Sequence, residues 1–273
     1  MRQALMLGVA AAIAAAASWP QAMAQSEDPV AADFDKFRAI MEEANPAELF
    51  EAKGEQLWKT PGGPKKQSLE KCDLGLGPGV VKGAYVQMPR YFADVDRVMD
   101  AEARIVHCMV TLQGFELDKL DDKPFSSATK TPDPVSITTY VAAQSAGMKF
   151  APSQSHPKEK EAYEVGKEIF FYRAGAYDFA CASCHGLDGG KRIRTQPLPN
   201  FAKPETAASA VMGWPGYRMT GGVMHTLQWR LNDCFRQQRF PEPDYTSEML
   251  SNLITYLTVN AQGQVYKGPG IKR

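Results

Sequence analysis

Helix-forming residues dominate this chain, and no set of alternating apolar and polar positions reads as strands. Two apolar stretches are alike: SITTYVAAQSAG at 136–147 and NLITYLTVNAQG at 252–263. Aligned without gaps, they share Thr-Tyr, an apolar residue after it, and the final glycine. Both predict amphipathic helices closed at the C-terminus by Gly147 and Gly263. Between them, the polar, proline-containing APSQSHPKEKE at 151–161 predicts a linker. The apolar run from about Ala4 to Ala17 is of another kind. Arg2 precedes it and Ala22-Met23-Ala24 follows, which predicts a secretory signal peptide, 1–24, cleaved after Ala24. The run is shorter than the roughly 20 residues that span a bilayer. The expectation is an exported, periplasmic protein with no membrane anchor.

The matched helices belong to a longer repeat. GEQLW begins at Gly54 and GKEIF at Gly166, an offset of 112. That offset carries Leu69 onto Cys181, Cys72 onto Cys184 and Asp73 onto His185. A third match sets Arg104-Ile-Val-His-Cys108 against Arg230-Leu-Asn-Asp-Cys234, both R-x-x-x-C, at an offset of 126. Three matches in one order predict a duplicated module. The expected organisation is mainly α: two tandem domains of one kind, 25–150 and 151–273. About 250 residues suffice for two such domains. Without Arg2 the mature chain has 30 Lys+Arg against 31 Asp+Glu, a balance that gives no support for nucleic-acid binding.

Cys181-Ala-Ser-Cys184-His185 is the C-x-x-C-H signature of c-type haem attachment, so the expectation becomes two tandem cytochrome c-like domains, the first, which lacks the motif, without haem. Two thiols three positions apart on one helical turn reach the two vinyl groups of one porphyrin, and His185 then lies under the iron as proximal ligand. A thioredoxin-like dithiol would need an alternating βα context, and a zinc site would need two more ligands at suitable spacing, with only three other His and three other Cys in the chain. Gly186, Gly189 and Gly190 are expected to make a tight turn after the motif. Pro197 and Pro199 stand where a proline carbonyl can accept the His Nδ1–H bond that fixes the imidazole tautomer. Lys191, Arg192 and Arg194 either neutralise haem propionates or form a solvated loop. In the first half Leu69 cannot form a thioether and Asp73 cannot replace the imidazole, so one covalent haem c is expected. Cys72 and Cys108 would flank the iron from opposite sides in a haem-bearing copy. Without a porphyrin they can close as a disulfide, an oxidising compartment permitting it, or remain two thiols. His107 and His156 read as ordinary histidines.

The sixth ligand is open among Met212, Met219, Met224, His225 and Cys234. A methionine is the commoner choice, and Met219 and Met224 have glycine neighbours. A free thiol in an exported protein, however, calls for an explanation. Arg230 and Cys234 share a helical face, and a guanidinium there favours the thiolate that binds metal. Arg236 and Arg239 add positive charge. The plainer reading is a buried inert cysteine with solvated arginines.

The export signal, the two halves, CASCHG and RLNDCFRQQR together resemble the SoxA family of the SoxAX cytochromes over essentially the whole mature chain. The resemblance implies L-cysteine S-thiosulfotransferase activity: oxidative coupling of thiosulfate to a cysteine of the SoxYZ carrier protein. It also implies a monohaem SoxX-like subunit in a heterodimer. It places Cys234, as a persulfide, on the iron opposite His185 and makes Cys234 and Arg230 the catalytic pair. Arg236 and Arg239 become candidate contacts for the thiosulfate anion. The absence of a first-half motif resembles the single-haem members, in which a disulfide, here Cys72–Cys108, occupies the corresponding site. Coupling two sulfurs releases two electrons and one haem takes one at a time, so a second one-electron carrier is required. The alternatives are a thiosulfate dehydrogenase forming tetrathionate, a plain Met-ligated electron-transfer cytochrome, and a non-enzymatic docking subunit.

Overall fold

The computed structural model describes residues 33–272 apart from 34–35, 38, 42, 118–123, 126–129, 187–190, 194–195 and 202. The signal-peptide expectation, and those on Gly189, Gly190 and Arg194, lie outside the described residues. Residues 1–41 are a unit of their own, in which Lys36 pairs with Asp33 at 3.5 Å. The rest, 42–273, is one compact unit. Its elements are α1 (Ala47–Lys59), the hairpin β1 (Arg90–Phe92) and β2 (Arg97–Met99), α2 (Ala101–Thr111), α3 (Asp133–Ala143), α4 (Pro157–Phe171), α5 (Cys181–His185), the short pair β3 (Arg192–Ile193) and β4 (Gln196–Pro197), α6 (Pro204–Val211), the hairpin β5 (Gly216–Arg218) and β6 (Val223–His225), α7 (Leu227–Gln237), α8 (Glu248–Asn260), and β7 (Gly270–Lys272), which adds parallel to β5. No helix among the described residues is long and apolar enough to cross a membrane.

In each half the first and last helices cross at a glycine. A Cβ on Gly54 of α1 would come within 2.0 Å of the Ser136 carbonyl oxygen of α3. One on Gly166 of α4 would come within 2.0 Å of the Asn252 carbonyl oxygen of α8. Only a residue without a side chain lets the two backbones approach so closely. Rings pack beside each crossing, Trp58 on Tyr140 at 6.4 Å and Phe170 on Tyr256 at 5.0 Å. The Thr of each Thr-Tyr pair turns inward and bonds its own helix, Thr139 Oγ1 to the Val135 carbonyl and Thr255 Oγ1 to the Ser251 carbonyl, both at 2.8 Å. α3 is buried from Pro134 to Ala142, its Ser and Thr residues included, so it has no solvent-facing polar side there. Gly147 (φ 78°) and Gly263 (φ 81°) follow the two helices in the left-handed conformation that favours glycine.

Beyond these glycines the halves join by matched backbone bonds. Gly147 N donates to Tyr266 O (2.9 Å), and its counterpart Gly263 N donates to Phe150 O (2.8 Å). Phe150 N donates to Gln264 O (2.9 Å), and Tyr266 N donates to Met148 O (2.8 Å). Each bond is the other's image under a local two-fold. The same relation holds at the helices that carry the R-x-x-x-C segments. Each hairpin follows a cis X-Pro bond, Met88–Pro89 and Trp214–Pro215. Arg90 pairs with Met99, as Gly216 does with His225. α2 is then capped by Asp100 and α7 by Thr226. The offset of 126 read from R-x-x-x-C therefore runs unbroken from proline to helix end.

The expected linker is shorter than 151–161. Its last five residues open α4, where His156 caps the helix and Glu159 closes a capping box. Glu159 also accepts the Tyr91 N–H at 2.9 Å, so the segment is tied to the first half.

Candidate functional site

Two short elements of the second half meet at the site. α5 is a single turn carrying Cys181, Cys184 and His185. A bonded ladder, Ala174 with Phe179, delivers the chain to it, and Ala180 N donates to Ser183 Oγ at 2.9 Å. α7 carries Arg230 and Cys234 one turn apart, started by Thr226, whose hydroxyl accepts from Trp229 N at 3.3 Å. Cys181, Cys184 and Cys234 are free and half-buried.

Of the two candidate prolines it is Pro199 whose carbonyl lies 2.8 Å from His185 Nδ1. With the proton on Nδ1, Nε2 keeps its lone pair for a metal. Burial lowers the His185 pKa, the Pro199 carbonyl opposes this, and Arg230 lowers it further, so the ring is held neutral. Burial pushes the Cys181 thiol up to about 12, with Cys234 and Cys184 adding to the rise. Cys234 is also raised, by burial first and by Asp233 and Cys184, against the pull of Arg230. The guanidinium thus acts in the expected direction but burial outweighs it, and a thiolate here needs a cation beyond Arg230.

Those couplings bring Cys234 to Cys181 and Cys184, and Arg230 to both Cys234 and His185. The other sixth-ligand candidates have surroundings of their own. Met224 is buried among Ala47, Val106, Phe125 and Val135. Met219 is exposed beside the β5–β6 turn, and Met212 packs on the main core. His225 stacks on Trp229 with ring centres 3.6 Å apart.

Arg230 Nη1 donates to Asp233 Oδ2 at 2.7 Å, Gln237 Nε2 to the same oxygen at 2.6 Å, and Arg236 to Asp233 Oδ1. One buried carboxylate thus tethers two arginines beside the thiol. Asp233 is a residue that sequence reasoning misses; its spacing of three from each arginine is the one signal, and it is masked by the charged run around it. Arg239 lies past the helix end at φ 60°, exposed, with its carbonyl toward Gly175. Lys191 donates to the Ser183 carbonyl.

The equivalent place in the first half is closed. Cys72 and Cys108 form a disulfide with Cα atoms 5.7 Å apart. Leu69 is fully buried, and Asp73 spends Oδ1 on the N–H groups of Gly75 (2.6 Å) and Gly77 (3.0 Å). Arg104 lies over Phe92 at 4.1 Å, donates to Asp73 O at 2.8 Å and pairs with Asp94 at 2.7 Å. His107 is near Asp94 at 3.6 Å, and His156 serves as a helix cap.

The two helices meet through buried acids. The Glu102 carboxylate accepts from Leu227 N (3.0 Å) and Gln228 N (3.1 Å) at the start of α7. The Asp100 carboxylate accepts from Gln228 Nε2 (2.9 Å) and Ser251 Oγ (2.6 Å). The first half therefore fixes the end of the helix that bears Arg230 and Cys234.

The donor set fits a covalently held haem c. Two thiols on one turn adjoin a half-buried imidazole oriented by a carbonyl. A third thiol, unbonded, is near enough to act electrostatically on both, where the same positions in the first half close on each other.

Comparison with known proteins agrees. The family model for the SoxA/TsdA cytochrome c domain matches residues 53–150, the half without C-x-x-C-H. The chain is 50% identical over 239 residues to an L-cysteine S-thiosulfotransferase subunit SoxA from Hydrogenophilus thermoluteolus, covering 88% of this chain and 87% of that one. It is 33% identical over 254 residues to a SoxA from Hydrogenobacter thermophilus, covering 92% of each. The crystal structure of SoxXA from P. pantotrophus superposes with a TM-score of 0.70 at 24% identity, covering 87% of this chain and 84% of that one. The mainly helical, cytochrome c-like fold is thus shared.

Proposed function

Since the chain belongs to the SoxA family, we propose that it is the catalytic subunit of a periplasmic L-cysteine S-thiosulfotransferase, with its chemistry at Cys234 and Arg230. The observation that carries this is the approach of an unbonded cysteine, with an arginine one turn before it, to the C-x-x-C-H turn.

The residues divide as follows. Cys181 and Cys184 would hold one haem c, with His185 and Cys234 as the side chains that would bind its iron. When bound, the haem supplies one-electron redox chemistry and an iron for sulfur ligation. Pro199 O holds the proton on His185 Nδ1. Arg230, aimed by Asp233, receives the thiosulfate dianion, and Arg236, on the same carboxylate, adds charge at the mouth. A sulfur carried on Cys234 as a persulfide is the reacting end of the chain. The net reaction joins the carrier thiol and the outer sulfur of thiosulfate. R–SH and S₂O₃²⁻ give R–S–S–SO₃⁻, one proton and two electrons. The new bond is sulfur–sulfur, the broken one is S–H, and the electrons leave singly to a monohaem SoxX-like partner. The thiol is supplied by a SoxYZ-like carrier. We read the halves as copies of one module, 25–150 and 151–273, the first having exchanged its haem for the Cys72–Cys108 bond.

Intact-protein mass spectrometry tests the reading. The expected result is one haem per chain, with one extra sulfur atom on the peptide holding Cys234. A readily alkylated, unmodified Cys234 in the native protein would overturn the ligand role.

A further inference from the structure

Four aromatic side chains stand in solvent immediately before the haem-attachment turn: Phe171 (42% exposed), Tyr172 (69%), Tyr177 (54%) and Phe179 (44%). The rings of Tyr177 and Phe179 are 5.9 Å apart, and Phe171 meets buried Phe170 edge-on at 5.2 Å. The charges within the stretch cancel, because Arg173 pairs with Asp178 at 2.6 Å.

The first half supplies the control. The offset of 112 sets these four positions on Lys59, Thr60, Lys65 and Gln67, all polar and exposed. The backbone is the same in both places. Gly62 bridges Gln67 as Ala174 bridges Phe179, and φ is positive at Gly63 (65°) and Lys66 (49°), as at Gly175 (74°) and Asp178 (48°). The loop therefore folds without aromatic residues, and large apolar side chains grouped along one exposed segment mark a contact with another molecule.

We propose that this patch seats the second, electron-accepting cytochrome subunit. The inference rests on the partner reading above and says where that partner sits. Two observations select this occupant. Phe179 is two residues from Cys181, so a protein seated here lies against the segment that holds the haem, the place from which single electrons must leave. The patch is also aromatic and self-neutralised, the character of a lasting interface. A carrier that must dissociate after each turnover is better served by exposed charge, which steers association. A persistent electron acceptor meets both conditions.

The test grafts the first half's residues onto the full-length holoprotein as Phe171→Lys, Tyr172→Thr, Tyr177→Lys and Phe179→Gln, co-produced with the monohaem subunit. The expected result is loss of co-purification, or a Kd weakened by about 100-fold or more, with haem content and the ferric ligand spectrum unchanged. The single change Tyr172→Thr, at the most exposed ring, should weaken the complex in the same sense should the fourfold variant misfold. A partner retained at unchanged Kd overturns the assignment and leaves the Cys234 chemistry standing. So does a graft that raises only the KM for the carrier protein, or one that dissolves a dimer of the chain alone. A wild-type chain that forms no complex with the monohaem subunit overturns both the patch and the partner reading.

Discussion

The two halves share a backbone plan and differ in what they do with sulfur. In the first, Cys72 and Cys108 are bonded to each other, and Arg104, with 6% of its side chain exposed, is closed in by Asp94, Asp73 O and Phe92. In the second, the equivalent Cys184 and Cys234 stay apart, and Arg230 keeps 31% of its side chain exposed, tethered from one side by Asp233. The source of the carboxylate decides the difference. Asp94 comes from the β1–β2 hairpin and folds over Arg104, whereas Asp233 comes from α7 itself and leaves the outer face of Arg230 open. One half is cross-linked, and in the other a partly exposed guanidinium and an unbonded thiol stand one turn apart on α7.

Breaking the first half's bond should produce the largest stability effect. The Cys72→Ser/Cys108→Ser variant, whose bond spans a sequence separation of 36, should lose about 3–4 kcal/mol in denaturant unfolding. Its turnover, measured where it is folded, should be retained. Loss of activity in a folded variant would mean that the support also shapes the site. The arginines should separate next. Arg230→Ala should lower kcat/KM about ten- to a hundredfold, the loss of one charged hydrogen bond, with haem content unchanged. Arg104→Ala should leave kcat/KM of the folded protein unchanged. Equal effects of the two on kcat/KM would erase the distinction.

The glycine crossings should show instead that the halves are alike. Gly54→Ala and Gly166→Ala meet the same 2.0 Å approach to a backbone carbonyl. Each should cost about 1–3 kcal/mol or more, and strongly unequal costs would argue against an equivalent helix pair. The smallest effect is in pH dependence. Burial raises Glu102 well above its ordinary 4.5, Asp100 adds to this, and the bonds from Thr226, Gln228 and Leu227 oppose it. A carboxyl raised in the folded state contributes fully below its unfolded value, and its contribution falls as pH rises through the folded value. Glu102→Gln should therefore flatten the decline of the denaturant midpoint above about pH 5. An unchanged slope would assign that decline to other groups.

The sequence carried the large features for physical reasons. C-x-x-C-H is a fixed spacing imposed by porphyrin geometry, and Gly54 and Gly166 repeat because a helix crossing tolerates nothing larger. The R-x-x-x-C pair was readable because both residues sit on one helical face. The hairpins were not readable, because strands of three residues are too short to show alternation. Helix α3 looked amphipathic because its Ser and Thr residues count as polar, yet in the fold Thr138 and Thr139 bond their own helix and are buried. The linker was drawn too long because Lys158, Glu159 and Lys160 read as solvated, whereas Glu159 is buried as a cap and tie. Asp233 was hidden by its neighbours, since a charged run looks like a solvated face until one member is found buried beneath the others.

The central claim is that sulfur from Cys234 and nitrogen from His185 are the two axial ligands. Low-temperature electron paramagnetic resonance with near-infrared magnetic circular dichroism of the ferric holoprotein tests it most directly. The account predicts a low-spin haem with thiolate-type sulfur and imidazole ligation, lost in Cys234→Ala. A methionine-type sulfur-to-iron band in the red, unchanged in that variant, would contradict it.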